Sequence, residues 1–132
     1  MTYQDLIKSA IATVCEDTST STEIEDYTMR AQFLLATFVT QYAHLNGIYR
    51  EAHGMEPCEI STDVAAIDPE DNFPLCDVFS PAAIQYLASA LVIDENEEMS
   101  DKLFDRYVNI ILEIRKNLPT KAGAIADRYN LN

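Results

Sequence analysis

The sequence predicts a mainly α protein: about four helices in a bundle, with an extended arm or β-hairpin between the second and third long helices. Three observations carry this. Apolar residues recur at helical spacing in four separate stretches. Pro57, Pro69 and Pro74 exclude a continuous helix between Met55 and Phe79. The 132 residues are 48% hydrophobic, enough for a single helical domain, 1–132, to bury a core without staples.

The first helix is predicted over Tyr3–Val14, where Tyr3, Leu6, Ile7, Ala10, Ile11 and Val14 share one face. A polar string from Glu16 to Ser21 interrupts it. The second starts at Thr22, whose spacing to Glu25 is that of a capping box. Its stripe runs through Ile24, Tyr27, Ala31, Leu34, Leu35, Phe38, Tyr42 and Leu45. Gly47 weakens the pattern, and Gly54 closes the continuation through Ile48–His53.

Residues 55–79 form the arm, either extended or a β-hairpin with strands near 58–66 and 73–79. A turn is expected at Asp68–Asn72. The strongest local signals lie between Asn72 and Asn96. Ser80 reads as an N-cap and Pro81 as the first residue of a helix reaching about Ile93. Its alanines permit close helix packing. The acidic run Asp94–Glu98 separates it from a last helix, about Ser100–Leu118, whose seam is Leu103, Tyr107, Ile110, Ile111, Ile114 and Leu118. The two most complete seams, Thr22–Leu45 and Ser100–Leu118, are expected to face each other. In the tail, 120–132, the residues Ala124–Tyr129 form either a short strand or a helical turn.

The net charge of −13 argues against a basic nucleic-acid footprint and against attachment to anionic membranes. It is compatible with a basic protein partner. The N-terminus lacks the basic region and apolar core of a signal peptide, which reads as an intracellular chain.

No catalytic constellation is evident, so the chain reads as a non-enzyme with no cofactor. His44, His53 and Cys58 match no zinc spacing, and no metal site is expected. Asp94, Asn96 and Glu98 alternate like the start of a calcium loop, but Met99 stands where the turn needs glycine. Cys15, Cys58 and Cys76 read as free thiols, with a Cys58–Cys76 bridge as the weaker alternative.

One pattern points further. Phe73-Pro74, Asp77, Phe79, Pro81-Ala82-Ala83 and Tyr86–Leu91 are followed by Asp94-Glu95-Asn96-Glu97, then Phe104 and Tyr107. This order resembles small head–tail connector (adaptor) proteins of tailed bacteriophages and prophages. The match covers about the last half of the chain and consists of structural residues. The resemblance implies a structural virion protein, present in the bacterial cytoplasm before assembly. It implies a homo-oligomeric ring beneath a portal, with portal, tail or head-completion proteins as partners. The rival reading is a small acidic helical adaptor or regulatory protein that binds one basic protein.

An assembly interface is expected on the arm and the tail, at Ile60, Val64, Ile67, Phe73, Phe79, Ile125 and Tyr129. These residues are apolar and fall outside the clean helical stripes.

Overall fold

The computed structural model describes residues 1–14, 21–60 and 67–118. Four α-helices account for most of them: α1 (Tyr3–Val14), α2 (Ser21–Ala52), α3 (Ser80–Val92) and α4 (Glu97–Lys116).

Helix α1 opens with a capping box. The Thr2 backbone N–H donates to Asp5 Oδ2 at 2.9 Å, and the Asp5 N–H donates to Thr2 Oγ1 at 3.2 Å. The hydrogen bond from the Thr2 backbone is the main reason the Asp5 carboxyl is held below its usual range. Leu6, Ile7 and Ala10 form the buried face.

Helix α2 runs through Gly47 without a break. Glycine there costs about 1 kcal/mol relative to alanine. Leu45 and Asn46 are buried beside it, and Ile48 and Tyr49 pack against the core, so tertiary contacts hold the backbone helical. The helix ends as expected at Gly54, whose φ of 67° returns the chain, with the Met55 N–H donating to Arg50 O. Thr22 lies inside the first turn rather than ahead of it.

Helix α3 is the hub. It packs most extensively on α4, then on α1 and α2. Its approach to α4 is close because the facing residues are small. Ser89 Oγ donates to Ser100 O at 3.1 Å, and Ser100 Oγ donates back to Ser89 O at 2.9 Å. Ser80 is not the cap that the sequence points to. A 3-10 turn at Asp77–Phe79 already curls the chain, so Ser80 has helical dihedrals and its buried hydroxyl has no partner. Helix α4 begins three residues earlier than expected, because Asn96 caps it by accepting from the Met99 N–H at 3.0 Å.

The expected face-to-face packing of α2 and α4 is replaced by an arrangement around α3. Arg30 of α2 donates to Ala90 O near the end of α3, while Asn46 lies beside Cys76 just before α3 begins. Helix α2 therefore runs antiparallel to α3. So does α4, and α2 and α4 run parallel. They meet through large rings rather than close backbones: Phe38 and Tyr107 have centroids 6.2 Å apart, and the Tyr42 and Tyr107 hydroxyls are hydrogen bonded.

Neither the extended arm nor the β-hairpin expected over 55–79 is borne out among the described residues, and the word arm is only a label for those positions. The first strand of the hairpin falls partly on 61–66, outside the described residues, and 58–60 carry no strand. The second half of the arm pairs instead with the N-terminus, through one antiparallel bridge between Thr2 and Asn72. The physical reason lies in α1. The first N–H groups of a helix have no internal acceptor. Tyr3 N–H donates to Asp71 O and Gln4 N–H to Pro69 O, at 3.0 and 2.8 Å, and Phe73 N–H donates to Met1 O.

Candidate assembly surface

The structure divides the expected interface residues. Phe73 and Phe79 lie inside the chain's own core, 8% and 0% exposed. Phe73 meets the Tyr3 ring edge-on at 6.0 Å, and Phe79 sits between Tyr42 and Tyr49. Their side chains offer no surface to a partner. Ile60 and Ile67 are half-buried against the core. Val64, Ile125 and Tyr129 lie outside the described residues.

The start of the arm, Met55–Glu59, is exposed. It is tied to the arm's end by Arg50, whose Nε donates to Glu56 O at 2.6 Å and whose Nη1 lies 3.8 Å from Cys76 Sγ. Cys76 is held further by its N–H, which donates to Asn46 Oδ1 at 2.8 Å. Asn46 is 1% exposed, and its Nδ2 has no partner. Cys58 and Cys76 are both free thiols. Neither Arg50 nor Asn46 stands out in the sequence as a functional residue. Asn46 carries a signal: it is a polar residue on the face that buries Tyr42 and Leu45.

Two depressions border this region. One, of about 410 Å³, lies between α2 and the start of the arm and is lined by His44, Gly47, Arg50, Met55 and Cys58 among others. The other, of about 540 Å³, opens where the C-terminal ends of α2 and α4 diverge around the start of α3. Tyr49, Val78, Pro81, Ile110 and Ile114 make its apolar wall, with Glu113 and Asn117 as polar groups. His53 stacks on Tyr49 at 4.1 Å, and its Nδ1 is 2.9 Å from Tyr49 O.

His44, Arg50, Glu51 and Cys58 border the 410 Å³ depression. Among the described residues no group of three or more His, Cys, Asp or Glu side chains is placed to hold a metal ion. Three residues of the polar run after α3 have structural partners: Glu95 accepts from the Tyr27 hydroxyl, Asn96 caps α4, and Glu98 pairs with Lys102 at 3.4 Å. Burial raises the phenol pKa of Tyr3, Tyr86 and, most strongly, Tyr107, where the Tyr42 hydrogen bond adds to the effect. These hydroxyls stay protonated at neutral pH and serve the core. Among the described residues no helix is long and apolar enough to cross a membrane.

The distribution of charge is uneven. The N-terminal ends of α2 and α4 lie together beside the end of α3, joined by the Tyr27–Glu95 hydrogen bond. Glu23, Glu25, Asp26, Asp94, Glu95, Glu97, Glu98 and Asp101 are all exposed at this end. Two helix N-termini favour such charge through their dipoles.

Comparison with protein-family models, with curated proteins and with solved structures finds no match to the chain.

Proposed function

We propose that the protein is a structural virion protein of a tailed phage or prophage, a head–tail connector or adaptor that assembles with portal and tail proteins. The observation that carries this reading is the run from Phe73 to Tyr107, with its resemblance to such connectors. The same run supplies α3, the helix on which the other three pack, so the resembling residues specify the architecture rather than a peripheral feature. The net charge of −13 supports the reading too, since a carboxylate-rich surface does not hold the phosphates of passing double-stranded DNA. The assembly surface is placed on the exposed start of the arm and on the C-terminal tail, with Ile60 and Ile67 at its edge. Phe73 and Phe79 support it from inside.

The test is co-purification with the portal and tail-completion proteins encoded beside it, followed by electron microscopy. Ring-shaped complexes containing this chain are expected. A chain that remains free beside assembled portals and tails contradicts the proposal.

The acidic end formed by α2 and α4 favours a second reading, a helical adaptor for a basic protein. In that case binding weakens steeply with salt, and replacing Glu23, Glu97 and Asp101 with the matching amides weakens it further.

A further inference from the structure

Helix α4 has a second stripe, separate from the seam it buries. Phe104 and Leu112 are among the largest exposed apolar side chains, 47% and 56% exposed, and Val108 between them is half-buried. Phe104 is steadied by the Tyr107 ring, 5.4 Å away. Asp101 and Arg115 continue the stripe at either end, both exposed. Neither has an ion-pair partner among the described residues.

The stripe is a palindrome in spacing and in chemistry. Phe104 and Leu112 stand four residues either side of Val108, and Asp101 and Arg115 stand seven. At about 100° per residue all five fall within one narrow sector of the helix. Apolar residues occupy the middle. Near this sector Glu97, Glu98, Asp101 and Asp105 lie in the N-terminal half and Arg115 and Lys116 in the last turn, while Lys102, Arg106 and Glu113 lie well round the helix from it.

We infer that the free chain pairs with a second copy of itself through this stripe, α4 against α4, antiparallel, about a two-fold axis passing Val108. In that arrangement Phe104 packs on Leu112 of the second copy, Val108 meets its own equivalent, and Asp101 faces Arg115 at both ends. An isologous contact requires a self-complementary patch, and this stripe satisfies the condition in shape and in sign. The parallel alternative sets acidic turns against acidic turns. A single helix stripe buries little area, so the dimer is weak and concentration-dependent rather than obligate. The net charge of −13 on each copy opposes association, but at physiological salt it is screened beyond about 8 Å, while facing side chains are not. A two-fold contact closes on a pair and builds no ring, so the inference concerns the unassembled chain and is independent of the virion reading.

Sedimentation equilibrium up to about 1 mM chain in ~0.15 M salt tests it, in the concentration range where weak association is measurable. A monomer–dimer equilibrium is expected. Asp101→Arg alone, or Arg115→Asp alone, sets like charges face to face and weakens pairing by about tenfold or more. Carrying both substitutions in one chain restores it, and so does mixing the two single variants, because each then presents the charge that the other lacks. Circular dichroism on the same samples shows that these exposed substitutions leave the fold intact. A monomer at all concentrations overturns the inference. So does an assembly of another stoichiometry, or a failure of either charge-matched combination to recover the dimer.

Discussion

Helix α3 is surrounded by protein on nearly every side, whereas α2, more than twice as long, is buried along one face and open along the other. Their sequences answer to these different conditions. Across its thirteen residues α3 carries no charge and many small side chains, and Ala82, Ala83, Leu87 and Ala88 are fully buried. Helix α2 alternates a buried row, Tyr27, Ala31, Leu35, Phe38 and Tyr42, with exposed Glu25, Met29 and Phe33. A helix enclosed on most sides has little solvent face to set against the core, so its stripe is blurred by small apolar residues. The centre of the bundle is therefore marked by its lack of polarity and its small residues, while the two most periodic helices, α1 and α4, lie outside.

The largest expected effect comes from the helix that flanks this centre. Ile111 of α4 is 6% exposed. Ile111→Asp buries a charge without a partner and is expected to cost about 3–5 kcal/mol. Urea unfolding measures it, and an unchanged midpoint breaks the placement of α4 against α3.

A subtler substitution tests the difference between α3 and α2 directly. Ala83→Leu forces extra volume between packed helices and is expected to destabilise by about 1–3 kcal/mol. Ala52→Leu at the exposed end of α2 is expected to stay within about 0.5 kcal/mol. Equal effects at the two alanines remove the distinction drawn between the helices.

The smallest effect belongs to the rings through which α2 and α4 touch. Tyr107→Phe leaves the buried Tyr42 hydroxyl without its partner, at a cost of about 1–2 kcal/mol. The substitution also has a pH signature. Burial raises the Tyr107 pKa in the folded chain, while in the unfolded chain the phenol ionises near its ordinary value of about 10. Its contribution is therefore complete below about pH 10 and is lost as pH rises toward the folded value. Melting curves from pH 8 to about 11 should show a steeper alkaline decline in the unaltered protein than in the Tyr107→Phe variant. Parallel declines would show that Tyr107 is not the group responsible.

These contrasts explain what was legible in the sequence. Periodicity located the buried faces of α1, α2 and α4, and Gly54 located the end of α2. The seams did not say which helices face one another, since a complete stripe records burial and not its partner. Capping was read least well. The box between Thr2 and Asp5 is short-range chemistry that the sequence displays, and Asn96 carries the same kind of signal inside an acidic run that looks like a break. Ser80 gave the opposite lesson, because the 3-10 turn before it had already set the helical path. The interface expected at Phe73 and Phe79 rested on their falling outside helical stripes. An irregular segment that returns over a bundle buries aromatic residues just as a helix does, without leaving a period.

The junction between the N-terminus and residues 69–73 bears on the order in which the chain acquires its structure. Tyr3 and Gln4 are bonded to carbonyls about half the chain away, and α1 lies against α3. A ribosome delivers residues one at a time, at about 5–20 per second. For the seconds between release of Ala10 and arrival of α3, the apolar face of Leu6 and Ile7 lacks its most extensive neighbour and has only α2 to lie against. Pairings this distant in sequence also close slowly, because loop entropy is lost before contact is gained. Helix α1 is thus fixed in place only after α3 has been made, and the nascent chain carries a partly sheltered apolar face while the residues between them are added.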